Sequence, residues 1–593
     1  MCGIVGFIGK QDAKEVVLSG LKKLEYRGYD SAGISLYNRR FNNFDIYKDF
    51  GRVDKIIKMT QDAAYSPIAI GHTRWATHGK VTKDNAHPHY SQSRRFIIVH
   101  NGVIENYEEL RTQYLSDSYF YSQTDTEVII QLVESFSNTL SVENAILTAL
   151  KLLEGSYALL ILDTHDPDTI YAAKNKSPLV LGKGKNGVTI ASDVMALVGY
   201  ADEYFPLLDK TFIVAHEANI RVFNLAHEII NVNFSKIDLD ESQTELGQYQ
   251  HYMLKEIYEQ PAVIRNIMSQ YLDDKSSLIT PELINKIKEA DRLYIIAAGT
   301  SMHAGLVGKK LLETFTGLPV ETYIASEFAY DMPILSNKPF FILNTQSGET
   351  ADLRACLVNI KALKYPTLTI TNVKTSTLAR EADYHLELFA GPEIAVASTK
   401  AFIAQISVLA ILANTLAKNP IDIKFELARV ANSIEYFLDR QEVNTFAHEL
   451  LIKRNCFFIG RGLDYYTALE AALKLKEVSY IQAEGFAAGE LKHGTIALIE
   501  QHTPAVAIIS NEKTAKHTRS NLNEMISRGA TPLVISLSNV SQPTDQIILD
   551  DVLPLLSPMV MVVPTQLITY YAALERGLDI DKPRNLAKSV TVE

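Results

Sequence analysis

The chain has little cysteine, a single tryptophan and no surplus of basic residues. Its three cysteines, Cys2, Cys356 and Cys456, are odd in number and far apart, which excludes a disulfide framework and a Cys-x-x-Cys zinc site and suits a reducing, cytoplasmic setting. The histidines His72, His78, His87 and His89 fall at spacings of no familiar metal site. No metal and no other cofactor is expected. A net charge of -11 over 593 residues argues against the broad basic surface that nucleic acid requires, and leaves small anionic substrates in local pockets. Long uninterrupted apolar runs are also lacking. The most apolar stretch, FIAQISVLAILANTLAK, is broken by Gln405, Ser407, Asn414 and Thr415, so it reads as a buried helix. No basic segment followed by an apolar one opens the chain, and no membrane partner is expected.

A chain this long divides into several domains. Residues 2–235 alternate β-branched runs such as PIAIGHTRW, SYALLILD and PLVLGKGKNGVTIASD with turns, and helical periodicity interrupts them at DAKEVVLSGLKKLEYRG and TDTEVIIQLVESF. That mixture predicts an α+β layered domain. A polar linker and helical connection follow over 236–280. Apolar strands each followed by a helical pattern then predict parallel βαβ units. The run RLYIIAAGTS…IASEF is echoed by CFFIGRGLD…AEGF, so two tandem doubly wound α/β domains are expected at 281–425 and 447–583, ahead of a C-terminal tail at 584–593.

Taken alone, Cys2 is a small residue at a frayed terminus. If Met1 is trimmed, however, it carries a thiol and an α-amine of pKa near 8, a nucleophile and a base in one residue. In IIVHNGVIENY the Asn-Gly pair favours a type I′ hairpin turn, while a functional reading puts the Asn101 amide and the Gly102 N–H on a developing oxyanion. In HTRWATHG, Arg74 beside Trp75 suits a carboxylate. Asp125 in QTDTEV is either a helix N-cap or a ligand for an ammonium group. Together these groups would suit the amide, α-carboxylate and α-ammonium of glutamine.

In the second half, AAGTSMHAG offers Thr300 and Ser301 at a strand-to-helix turn, and NTQSGET offers Thr345, Gln346, Ser347 and Thr350. Two hydroxyl-rich turns without a Walker lysine point to a sugar phosphate, bound in the first α/β domain, although Ser and Thr also cap helices. Farther on, Glu470, Lys474 and Glu477 share a helical face. This is either a solvated charge ladder or a site in which Glu477 shuttles a proton and Lys474 stabilises negative charge. A lone histidine, His493 in ELKHG, is more often structural. Lys588 lies in what would ordinarily be a solvated tail, or it forms a Schiff base with a ketose carbonyl.

The segments MCGIVGFIG, LEYRGYDSAGI, GHTRWATHG, NAHPH, VHNGVIEN and TDTEV, in that order, resemble the glutaminase domain of the N-terminal-nucleophile amidotransferases. VASTKAF, KLKE, GELKHG and PRNLAKSVTVE resemble sugar isomerase (SIS) domains, and the whole chain is similar to the glutamine:fructose-6-phosphate aminotransferase (isomerizing) family. The resemblance implies Cys2 as nucleophile, Asn101 and Gly102 as oxyanion hole, Arg74, Asp125, Thr77 and His78 at glutamine, and Trp75 as the gate of an ammonia passage. It further implies Ser301 and Val396 at the sugar, Thr345, Gln346, Ser347 and Thr350 at its phosphate, and Thr300 and Ala587 in the same sugar-phosphate site. His493 would open the ring, Lys588 would form the Schiff base, and Glu477, with Lys474, would move a proton between C1 and C2. The family often has serine where this chain has Thr345, which keeps the hydroxyl and adds a methyl group. The implied substrates are L-glutamine and fructose 6-phosphate, and the implied assembly is a homodimer with His493 supplied across the interface. Two rivals stand beside this reading: another N-terminal-cysteine amidotransferase, and a sugar-phosphate-binding regulator that has lost its chemistry.

Overall fold

A computed structural model describes residues 2–75, 79–217, 219–237, 245–273, 278–440, 443–450 and 452–591. The chain forms two compact units, Met1–Glu245 with Ser589–Glu593, and Leu246–Lys588.

The first unit is built on one eight-stranded and one six-stranded sheet. Its first strand, Gly3–Gly9, is no frayed end. It lies inside the larger sheet between the antiparallel strands Ile68–Arg74 and Gly187–Ala191, and all seven of its residues are buried. The period-2 alternation of a strand sets two layers of packing. Ile4 and Ile8 face the second sheet, where they meet Ile97, Val99 and Leu160. Val5 and Phe7 face outward, under the helix Ala13–Leu24. The second sheet repeats the arrangement, with Phe96 and Ile98 turned outward against the helices Thr126–Ser137 and Val142–Leu152. The result is a helix–sheet–sheet–helix stack, the layered α+β fold expected.

One expected turn is absent. Asn101 and Gly102 lie inside the continuous strand Phe96–Ile104, paired with Ala158 and Tyr157 of the neighbouring strand Gly155–Asp163. Gly102 has φ +143°, and a Cβ there would sit 1.9 Å from the Ser156 carbonyl oxygen. Close approach of a strand, and not a hairpin turn, is therefore what requires the glycine.

In the second unit two five-stranded parallel sheets share one order, with the second strand of each at the edge, then the first, third, fourth and fifth. The first sheet centres on Arg292–Ala297 and Pro339–Asn344, the second on Asn455–Gly460 and Pro504–Ile509. Each first strand leads through a glycine of nearly identical backbone, Gly299 (φ 54°, ψ -132°) and Gly462 (φ 61°, ψ -125°), into a long helix, Thr300–Thr316 or Leu463–Ser479. The duplication extends to the turn where a doubly wound fold binds its ligand. The apolar run forms the helix Lys400–Leu416, buried at every position but Thr415. Within the segment read as linker and connection, Tyr252–Met268 is a helix whose Met253, Ile257 and Ile264 join the core of the second unit, while residues 238–244 lie outside those described. Pro554–Glu575 is long and apolar enough to cross a membrane, yet 89% of its 18-residue apolar window is buried inside the protein.

Candidate active site

The buried first strand and the strand Ile68–Arg74 bring Cys2 to Trp75. The Trp75 N–H donates to Cys2 Sγ at 3.2 Å, and the thiol lies 3.4 Å from the Trp75 carbonyl oxygen. Burial pushes the thiol pKa up, and the Trp75 N–H and Arg74 draw it down. Asn101 donates from Nδ2 to the Cys2 carbonyl at 2.9 Å, and its Oδ1 is buried on the side of His72. One amide is thus fixed at the nucleophile's backbone, and Gly102 follows it in the strand. Arg74 is 3% exposed, and burial lowers its pKa against the attraction of Cys2, Asp30 and Asp125. Asp125 precedes the helix Thr126–Ser137 but makes no capping bond, so the N-cap reading fails. Its Oδ2 instead accepts from the Ile104 N–H at 2.8 Å, at the end of the strand that carries Asn101. Trp75 is half-buried, edge-on to Tyr29. Thr77 and His78 lie outside the described residues.

Behind Asn101 stands a layer of imidazoles whose role the sequence did not disclose. His72 stacks on His87 at 4.0 Å, and His87 meets His89 at 4.5 Å. His72 Nε2 lies 3.0 Å from the His100 carbonyl, and His100 Nδ1 lies 2.9 Å from Thr126 Oγ1. Burial pushes His72 down to about 3 and holds His87 and His89 well below the usual histidine range, so these rings are neutral supports. The motif NAHPH was legible, but its packing against the strand of Asn101 was not.

Because a side chain at position 102 meets backbone, Gly102→Ala is expected to displace the strand and lower glutamine hydrolysis at least ~100-fold, the order of losing an oxyanion donor. Glutaminase assays and thermal melting of the purified variant check this.

In the second unit, the turn after Pro339–Asn344 gathers the hydroxyl groups expected at a phosphate. Thr345 Oγ1 lies 3.3 Å from Thr350 Oγ1 and accepts from the Gly348 N–H, and Ser347 Oγ accepts from the Glu349 N–H. Thr350 stands at the N-terminus of the helix Ala351–Ala362 and makes no capping bond. Gln346 is anchored through its carbonyl, which accepts from the Asn372 N–H and the Thr371 hydroxyl. Thr300 and Ser301 are already engaged. Thr300 donates to Glu470 at 3.0 Å, and Ser301 Oγ accepts from Gln405 at 2.8 Å.

The matching turn of the second α/β domain, after Pro504–Ile509, is engaged differently. At the position matching Ser301 this domain has Asp464, whose carboxylate accepts from the N–H and hydroxyl of Ser510, the residue after its third strand. The two donors of Ser510 are thus taken up by a side chain of the domain's own helix. Burial pushes Asp464 up from 3.8 to about 7, so the folded state retains a proton that the unfolded chain releases. That contribution to stability is full below pH 4 and is lost as pH rises to 7, and each tenfold difference in proton affinity between the two states is worth about 1.4 kcal/mol. Asp464→Asn is expected to lose this fall, which melting temperatures of both proteins between pH 4 and 8 would reveal.

The charge ladder on Leu463–Ser479 is not solvated. Glu470 and Lys474 are 0% and 1% exposed, and Lys474 Nζ lies 2.5 Å from Glu477 and 3.6 Å from Glu470. Glu470 is also 2.7 Å from His303 Nδ1. Burial opposes the Lys474 charge, but the Glu477 and Glu470 carboxylates outweigh it and raise its pKa. Lys588 likewise does not lie in a solvated tail. Its side chain is 5% exposed and its Nζ lies 2.5 Å from Glu393 Oε2. Ala587 beside it is half-buried, and Val396, three residues beyond Glu393, donates its N–H to the Asp581 carbonyl. His493 is exposed, and among the described residues no hydrogen bond or ion pair joins it to Glu477 or Lys588.

Comparison with known proteins follows the same division. The glutamine amidotransferase domain family matches residues 72–199, and the SIS domain family matches 286–415 and 449–576. The chain is 53% identical over 602 residues to the glutamine–fructose-6-phosphate aminotransferase [isomerizing] of Bacillus cereus, covering 100% of both chains. It is 54% identical over 602 residues to the protein of the same name from Geobacillus kaustophilus, again covering 100% of both. Among solved structures, the C-terminal domain of the Francisella tularensis glucosamine-fructose-6-phosphate aminotransferase matches with a TM-score of 0.54 and 35% identity. That match spans 57% of this chain and 100% of the other.

Proposed function

The chain belongs to the glutamine–fructose-6-phosphate aminotransferase (isomerizing) family, and from that premise we propose how its residues divide the reaction. It is an enzyme that converts fructose 6-phosphate and L-glutamine to glucosamine 6-phosphate and L-glutamate. We assign amide cleavage to Cys2. Its thiolate attacks the glutamine side-chain carbonyl, and the Asn101 amide and Gly102 N–H stabilise the oxyanion as ammonia leaves a thioester that water then hydrolyses. Arg74 takes the α-carboxylate, Asp125 the α-ammonium group, and Thr77 and His78 complete the glutamine site. Trp75, bonded to the thiol, gates release of the ammonia.

The acceptor chemistry belongs to the first SIS domain and the residues that close on it. Thr345, Gln346, Ser347 and Thr350 bind the phosphate, while Thr300, Ser301, Val396 and Ala587 bind the sugar. His493 opens the ring, Lys588 condenses with the C2 carbonyl, and ammonia displaces the lysine. Glu477 carries a proton between C1 and C2, with Lys474 holding the negative charge that appears as electrons move within the sugar. The observation that carries the assignment is the burial of Lys588, since a tail lysine with no chemistry would remain in water.

The working form in this proposal is a cytoplasmic homodimer, with His493 of one subunit serving the other. Its exposure, without a bond to Glu477 or Lys588 among the described residues, supports that arrangement. The test is mass-spectrometric detection of glucosamine 6-phosphate and glutamate after incubating purified protein with both substrates. Equal amounts of the two are expected. Glutamate alone would overturn the acceptor assignment, and neither product from folded protein would overturn the reading.

A further inference from the structure

Lys588 cannot attack a carbonyl as an ammonium ion, and the structure places the Glu393 carboxylate against it. We propose that Glu393 is the catalytic acid–base group of the Schiff-base step, taking the proton that Lys588 must lose and returning it to the departing sugar oxygen. The inference rests on the assignment of Lys588 as the imine-forming residue.

Glu393 is buried at 6% exposure, and its Oε1 accepts from the Thr399 and Ala401 N–H groups at 2.9 and 3.0 Å. Its Oε2 accepts from Ser398 Oγ at 2.8 Å and from Lys588 Nζ at 2.5 Å. Burial alone would raise its pKa, but Lys588 and the N–H donors hold it down to about 2, so it meets the ammonium as a carboxylate. The resting pair is charged; as bound sugar displaces water, both charges lose solvation, which favours the neutral pair reached by moving one proton across the single hydrogen bond. The freed lone pair of Nζ then forms the N–C2 bond, and the carbonyl π electrons move to oxygen, which takes the proton back from Glu393. Loss of a second proton from nitrogen, again through Glu393, lets that oxygen leave as water. An ammonium and a ketone thus become a protonated imine and water, with charge unchanged.

A second carboxyl group sets the conditions. Glu256, from the helix Tyr252–Met268, is 2% exposed. Its Oε1 accepts from the Ile394 and Ala395 N–H groups, next to Glu393 in the chain, and its Oε2 is buried with no hydrogen-bond partner among the described residues. The charges that face it are Glu393, Lys588 and Lys400, the last paired with Glu259 at 2.6 Å. Burial and the Glu393 charge push Glu256 up to about 8, so at neutral pH it is an uncharged acid. Were it ionised, a second negative charge would hold the proton on Lys588.

The experiment is borohydride trapping of the imine between the full-length protein and fructose 6-phosphate, with the adduct located by mass spectrometry and fructose 6-phosphate affinity measured in parallel. Wild type is expected to trap at Lys588. Glu393→Gln is expected to trap at least ~100-fold more slowly at pH 7 with affinity little changed, the size of a lost proton-transfer group. Trapping at the wild-type rate would overturn the proposal. So would equal losses of rate and affinity, because Glu393 would then only support the loop of Val396. An adduct on another lysine, or none in wild type, would show instead that the Schiff-base assignment is wrong. Should Glu393→Gln fail to fold, Glu256→Gln keeps the test open. Wild-type trapping is expected to fall above about pH 8 and the variant to lose that fall, and an unchanged alkaline limb would count against the proposal.

Discussion

Cys2→Ala is expected to reduce glutamine-dependent glucosamine 6-phosphate synthesis at least ~10,000-fold while fructose 6-phosphate is still isomerised. Loss of a covalent nucleophile removes the whole route through the thioester, and the groups left behind bind without reacting. No other thiol stands in for it. Cys356 and Cys456 are both 0% exposed in the second unit, and burial pushes Cys456 far above the ordinary thiol range. The alanine also removes only the sulfur, because Asn101 lies within its own strand and Trp75 directly follows the strand Ile68–Arg74. Binding of glutamine should therefore survive. Loss of sugar-phosphate isomerisation together with synthesis would show that the two chemistries are not separable as assigned.

Much of this architecture was legible in the sequence because it rests on periodicity. The alternating runs of the first unit and the strand-then-helix rhythm of the second became the elements expected, and even the internal echo of RLYIIAAG in CFFIGRG returned as two glycines of matching φ and ψ. What misled were short signals whose meaning depends on a distant neighbour. Asn-Gly is a turn signal in isolation, and only the Ser156 carbonyl lying across from Gly102 makes it a strand. Glu470, Lys474 and Glu477 have the spacing of a surface ladder, yet His303 and Thr300, from a helix far away in sequence, cover one end of it. Asp125 occupies the N-cap position and spends its carboxylate on another strand instead.

Some of the site was missed for the same reason. Glu393 sits in AGPEIAVAS, a lone acid in a small and apolar stretch, and Glu256 sits on a helical face otherwise turned to the core. An unmatched carboxyl group in apolar surroundings is a signal that a partner is supplied from elsewhere. Here the partner, Lys588, is 195 residues from Glu393, a separation that no local pattern spans.

Lys588 also carries the second large effect. Lys588→Ala is expected to lower synthesis at least ~1,000-fold and to leave no borohydride-trappable adduct, while Cys2 continues to hydrolyse glutamine. Alanine by itself is an ambiguous test, because it strips Glu393 of its cation. Breaking a buried ion pair by removing one partner costs about 3–5 kcal/mol. The burial that then raises the Glu393 pKa would disturb the Thr399 and Ala401 N–H groups it holds, and with them the loop of Val396. Lys588→Arg separates the two causes, since a guanidinium keeps the positive charge beside Glu393 and cannot be deprotonated to condense with a ketone. Arginine should therefore keep the melting temperature close to that of wild type while losing synthesis as completely as alanine. Synthase activity well above the alanine level in the arginine variant would mean that Lys588 serves the sugar as a charge and forms no imine.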